Sequence, residues 1–191
     1  MLDDLHVELW QWIVSQVLGV FIVLCLIIGF QTKAKQRLLL TFAIANVIGF
    51  FSMLLLENYG LAAMSVVNVG KNVAFMWTNK RESAGRPINK VLSYVLLVFF
   101  WVAGIVSVSI WWVVWTDWPG LGFQIITTWA SWHGARWTTH VMKLSSLGFQ
   151  VVFIINAFMF FNWIGIVSGL IVLGSILLYY IKFFAQKKTL A

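Results

Sequence analysis

Ser65, Asn68, Lys71 and Asn72 fall at i, i+3, i+6 and i+7 of the apolar run "SVVNVGKNVAF". That spacing puts them on one side of a helix. Lys71 is the group to meet an anionic or carbonyl-bearing solute, with the two asparagines beside it. A second stripe, Trp129, Trp132, His133, Arg136 and His140, recurs at helical spacing, with Gln124 and Thr128 further along. Indole, imidazole and guanidinium groups stack on and hydrogen-bond a flat or polyhydroxylated solute. The candidate substrate-binding set is therefore Asn68, Lys71, Asn72, Trp129, Trp132 and His133. Two readings of Lys71 stay open. Either it lines a solute cavity, or it snorkels along the roughly 13 Å of helix axis that separates it from Lys80. A central lysine costs roughly 2.5–3.5 kcal/mol to insert into a membrane, which favours a protein or water surrounding. Arg136 and His140 read equally well as markers of an interface.

Other chemistries lack their residues. No Asp or Glu lies deep in any apolar run, so there is no carboxylate proton relay and no counter-ion for a Schiff-base lysine. His133 and His140 have no acidic or cysteine partners, which leaves no metal site. Cys25 stands alone, no phosphate-cradling glycine loop is present, and no nucleophile–base–orienter set can be assembled. The sequence thus predicts no catalytic residues, no cofactor and no metal. A solute, if one is moved, goes down its gradient.

The elements that hold these residues are apolar spans. Apolar residues make up 61% of the 191 and charged residues 10%, against about a quarter charged in a soluble chain. Spans of the length a bilayer requires are read at 10–30, 38–56, 60–79, 91–115, 119–137, 144–161 and 163–182. Basic residues gather on alternate connections: Lys33, Lys35 and Arg37, then Lys80, Arg81, Arg86 and Lys90, then Arg136 and Lys143, then Lys182, Lys187 and Lys188. Asp3, Asp4, Glu8, Glu57 and Asp117 fall on the other side. The positive-inside rule places the N-terminus outside and the C-terminus in the cytoplasm. The net charge of +7 is accounted for by that pattern, so no nucleic-acid partner is expected; the partners are the lipid bilayer and a solute. The acidic start, Met1 to Glu8, does not look like a signal peptide. Tryptophans mark both interfaces, but Trp101, Trp129 and Trp132 lie deeper than a belt requires.

Laying Asn58-Tyr59 on Asn162-Trp163 also lays Asn46 on Gln150, Ser65 on Gly169 and Gly70 on Gly174. This weak repeat predicts an all-α polytopic protein of seven transmembrane helices in a three-plus-one-plus-three plan. Its divisions are an outer segment 1–9, a first three-helix bundle 10–79, a loop and linker helix 80–118, a second bundle 119–182 and a basic tail 183–191. Gly165 and Gly169 form a GxxxG packing pair, with Ala45/Gly49 and Ala130/Gly134 as weaker equivalents. Whether these faces pack within the chain or between copies in a homo-oligomer stays open. Asn46, Gln150 and Asn156 are expected to join helices.

Two stretches, "SQVLGVFIVLCLIIGFQTKAKQRLLL" and "FFSMLLLENYGLAAMSVVNVGKNVAFMWTNKR", resemble the first half of the YgjV-type bacterial inner-membrane family. The similarity rests on Gln16, Gly19, Gly29, the basic loop Lys33 to Arg37, Gly60, and Asn68 with a basic residue three on. The second half, "ITTWASWHGARW" through "LIVLGSILLYYIKFF", is similar in layout but looser, with Val172 and Ser175 where the third span has its polar pair. That family looks distantly related to the SWEET sugar and PnuC-type vitamin-precursor transporters. The resemblance implies facilitated diffusion across the bacterial cytoplasmic membrane through a site between two bundles. Neither Pro87 nor Pro119 lies inside a span, so the proline–glutamine hinge of SWEET bundles is absent, which points away from sugars. A nucleoside-like or vitamin-like solute is expected. The alternative is a non-transporting accessory, assembly or receptor protein that uses its Trp-rich rim for contact.

Overall fold

The computed structural model describes residues 8–57, 59–86, 88–110, 117–133, 135, 137–159 and 163–189, with backbone alone at 60, 108, 117, 156, 157, 159, 163–165 and 186–189. Seven helices follow one another: α1 (Leu9–Gln31), α2 (Lys35–Leu55), α3 (Tyr59–Ser83), α4 (Lys90–Ile110), α5 (Asp117–Trp132), α6 (Thr138–Met159) and α7 (Trp163–Thr189). No strand is present among the described residues. Pro119 sits in the first turn of α5, where no intrahelical N–H is lost. Gly85 ends α3 with φ +70°. Its N–H donates to Glu82 O and the Arg86 N–H to Arg81 O, the paired bonds of a Schellman cap.

Among the described residues five helices, α1, α2, α4, α6 and α7, are long and apolar enough to cross a membrane. The other two differ for physical reasons. Within α3, Asn68, Lys71, Asn72 and the terminal Lys80, Arg81 and Glu82 dilute the apolar content. Helix α5 has 16 residues, about 24 Å at 1.5 Å per residue, short of the roughly 30 Å hydrocarbon core. The expected fifth span therefore ends at Trp132 rather than 137, and the sixth begins at Thr138 rather than 144.

Exposure is inverted relative to a soluble protein. Ile28, Val91, Ile110 and Ile181 are each more than 60% exposed, while Ser15, Ser52, Thr128, Ser131, Thr138 and Lys143 are buried. Water does not sustain so much apolar surface; lipid does. The chain is a helical membrane protein.

Helix α2 packs between α1 and α3, and α6 between α5 and α7. The two runs of three meet along two seams, α3 on α5 and α1 on α7, and α4 lies against α3 and α5. Small residues set the close approaches. A Cβ on Gly29 would collide with Thr41 of α2, and one on Gly169 would lie 2.6 Å from Ile154 of α6. The Gly169 face is thus used within the chain; the Gly165 side of the pair lies outside the described residues, as does Gly134. A shared apolar cluster, Phe30, Leu38, Leu39, Phe42, Ala130, Met142, Val172 and Ile176, spans α1, α2, α5, α6 and α7. It sits near the end where α1 and α5 finish and α2 and α6 begin, called here the basic end.

Candidate functional site

Lys71 stands at the middle of α3 and is 4% exposed. Its i−3 neighbour Asn68 accepts a hydrogen bond from Gln124 Nε2 of α5 at 2.8 Å. Its i+4 neighbour Phe75 lies edge-on to Phe100 of α4, with centroids 5.5 Å apart. Residues three and four apart are neighbours on a helix surface, so Lys71 occupies the junction of α3, α4 and α5. It is enclosed by protein over nearly all of its surface. Its ammonium makes no hydrogen bond to any described residue. Asn72, 2% exposed, leaves its Oδ1 unpartnered as well. Adjacent in sequence, these two residues supply a buried donor set and a buried acceptor that the fold itself leaves unused.

The α3–α5 seam continues in polar residues towards the basic end. Asn79 Nδ2 donates to Ser131 O at 3.0 Å, and its own Oδ1 is unpartnered. On α5, Gln124 and the Ser131 carbonyl meet α3, and Thr128 follows Gln124 at i+4; Thr128 and Ser131 are buried, with the Ser131 hydroxyl turned to Thr127 O and Met142 of α6. Gln124 and Thr128 were legible as part of the fifth-span stripe. Asn79 and Ser131 were missed, although Asn79 continues the Asn68–Asn72 register by one further pair of turns.

The tryptophan half of the predicted set is placed differently. Trp132 Nε1 donates to Ser93 Oγ of α4 at 2.6 Å, with its ring against Tyr94. Trp129 and His133 pack against each other and against Trp137 at 5.6–5.8 Å. His133 Nδ1 accepts from the Ala135 N–H at 3.2 Å. The structure brings Asn68, Lys71 and Asn72 together with Gln124, whereas Trp132 ties α5 to α4 and Trp129 and His133 form an aromatic cluster at the end of α5. Trp101, the third deep tryptophan, donates Nε1 to Ile125 O at 3.2 Å, again joining α4 to α5. Arg136 lies outside the described residues. His140 sits among Tyr179, Tyr180 and Phe183. Asn46 donates to Phe42 O of its own helix rather than to another helix, and the Asn156 side chain lies outside the described residues.

Two further lysines, read from sequence as loop charges, turn inward. Lys35, the first residue of α2, donates Nζ to Ala130 O at 2.7 Å, to His133 O and to Thr138 Oγ1 at 3.1 Å. Lys143 of α6, fully buried, donates to Phe30 O at 2.8 Å and Thr32 O at 2.6 Å. Its ammonium also lies 3.1 Å from the centroid of the Tyr179 ring. The arrangement is reciprocal. A lysine from each run of three helices caps the C-terminal end of the first helix of the other. Those ends carry unpaired carbonyls and the negative pole of the helix dipole, so a cation there is stabilised twice over. Gln31 reinforces the α1–α7 seam by donating to Ser175 O at 2.8 Å.

Two hollows on the described surface stand out, and Lys71 lines neither. One is an apolar trough along α4, lined by Val91, Tyr94, Val95, Val98, Phe99 and Val102. The other, of about 230 Å³, lies at the basic end and is lined by Gln31, Lys33, Tyr179, Lys182 and Phe183. Among the described residues no group of three or more His, Cys, Asp or Glu converges to hold a metal. Compared with known proteins, the chain matches no family model, no curated protein and no solved structure.

Proposed function

We propose that the protein is a small-molecule transporter of a bacterial cytoplasmic membrane, working by facilitated diffusion. In this reading all seven helices cross the bilayer. The N-terminus is outside and the C-terminus in the cytoplasm, α1–α3 and α5–α7 are the two bundles, and α4 is the linker. The solute site lies on the α3–α5 seam around Asn68, Lys71 and Asn72, with Gln124 and Thr128 opposite. The observation that carries the reading is Lys71, 4% exposed and without a hydrogen bond to any described residue, beside Asn72, whose buried Oδ1 is unpartnered. An unpaired buried polar group is costly, and more so a charge. A solute that brings a carbonyl or anionic oxygen and an N–H or O–H donor would relieve both, which suits a nucleoside-like or vitamin-like molecule.

The test is thermal unfolding of the detergent-purified protein against nucleosides, vitamins, sugars and amino acids. A ligand at about 100 times its Kd stabilises by about 2.7 kcal/mol. The expected outcome is a shift from a carbonyl-bearing or anionic solute that disappears in Lys71→Met. A shift that survives in Lys71→Met refutes the site. No shift across the panel transfers the weight to a non-transporting accessory or receptor protein, whose partner would then be sought by co-purification.

A further inference from the structure

We propose that the hollow between α1 and α7 at the basic end binds the phosphate headgroup of an anionic phospholipid. Its lining sets Lys33 and Lys182, both exposed at the surface, beside the Gln31 carboxamide and the Tyr179 and Phe183 rings. Among the described residues two lysines and no carboxylate line it, which favours a negative ligand. Its floor is fixed rather than mobile surface. Gln31 is held on Ser175 O and Oγ, the Tyr179 ring is pinned by the Lys143 ammonium, and Phe183 stacks on Tyr179 with an interplanar angle of 16°.

The ligand is a lipid because of what adjoins the hollow. On α1, Ile28 and Leu24 lie three and seven residues before Gln31 on the same helix face, 64% and 48% exposed. On α7, Leu178 and Ile171 lie four and eleven residues before Lys182, again on one helix face, 53% and 47% exposed. The hollow therefore opens at the head of an apolar groove running into the membrane, where acyl chains lie along α1 and α7 while the phosphate meets the lysines. The α1–α7 seam joins the two ends of the chain, and a lipid seated there would bridge them. This inference is independent of the transport reading.

The experiment is native mass spectrometry of the intact protein loaded with phosphatidylglycerol or with phosphatidylcholine of the same acyl chains. The expected result is preferential retention of phosphatidylglycerol. Retention falls roughly 30-fold in Lys33→Gln/Lys182→Gln, at about fivefold per lysine. Lys80→Gln/Lys90→Gln, which removes the same charge from the α3–α4 connection at the same end, should leave retention unchanged. Lys182→Gln alone provides the test, with about a fivefold loss, should the double variant fold poorly. Equal retention of the two lipids, or an equal loss in the control pair, overturns the site in favour of diffuse surface charge. Displacement of phosphatidylglycerol by millimolar inorganic phosphate overturns the lipid assignment and leaves a free-phosphate site.

Discussion

Lys143 and Lys71 are both buried in the same bundle of helices, yet their surroundings are opposite. Lys143 has two carbonyls and an aromatic face; Lys71 has no acceptor among the described residues. The difference follows from where along a helix each lysine meets its neighbours. Lys143 arrives at the end of α1, where the last carbonyls have no intrahelical N–H to receive. Lys35 arrives at the equivalent end of α5. Lys71 faces the middles of α4 and α5, where the backbone carbonyls are consumed by the helices' own hydrogen bonds. At that depth an ammonium can be met only by a side chain, by water or by a ligand. A buried lysine at a helix end is thus a structural clasp, and one at mid-helix finds no backbone acceptor to clasp.

The largest effect expected from this contrast belongs to Lys143→Met. The substitution keeps most of the volume but orphans Phe30 O in a buried place and Thr32 O in a partly buried one. Hydrogen bonds to charged groups contribute about 1.5–3 kcal/mol each, offset by the desolvation cost that the variant no longer bears. A net loss of about 3 kcal/mol should appear in thermal unfolding in detergent. Unchanged stability would remove the clasp from the comparison altogether.

Lys35→Met comes next, at about 2 kcal/mol, because Lys35 is only half-buried and water can replace part of what is lost. The loss should be local. Hydrogen exchange ought to rise in the last turn of α5 before it rises elsewhere, since Ala130 O and His133 O lose their cap. Exchange that rises uniformly would show that Lys35 supports the whole bundle rather than the end of α5.

The contrast between the lysines was only half legible in the sequence. Hydropathy alone draws seven helices, and five pass by length and composition. Lys71 announced itself by standing inside an apolar run. Lys143 did not, because a span drawn from 144 turns it into a loop residue. Thr138-Thr139 ahead of the apolar positions is a helix-start signal that would have begun α6 where it begins. Lys35 was hidden differently: a lysine in a short connection counts equally towards a charge asymmetry whether it points to water or to a neighbouring helix end. The tryptophans show the converse limit. Trp129 and His133 share a stretch of α5 with Gln124 and Thr128, but 3.6 residues per turn sends them to other arcs, while Trp132, four residues after Thr128, borders that face and is taken up by Ser93 of α4. Only the placement of α3 and α4 around α5 decides which arc is a seam.

Lys71→Met should move stability the other way. No described hydrogen bond is lost, and an uncompensated buried ammonium is replaced by a thioether of similar length. The ligand-free protein is expected to gain about 1 kcal/mol. A destabilised Lys71→Met would mean that the ammonium has partners in the ligand-free state, and the contrast with Lys143 would disappear.

The smallest effect sharpens the same point one residue further on. Asn72→Leu replaces a buried carboxamide, whose Oδ1 has no partner, with an apolar side chain of nearly the same size. Replacing an unsatisfied polar group in this way is neutral to mildly stabilising, by about 0.5 kcal/mol. Asn68→Leu is the internal reference, because its Oδ1 receives Gln124 Nε2, and the change strands that donor at a cost of about 1 kcal/mol. Unfolding of the two variants side by side therefore tests a difference in sign between carboxamides one turn apart on α3. If both lose stability, Asn72 is held by the fold as Asn68 is, and the unused polar capacity of the seam shrinks to Lys71 alone.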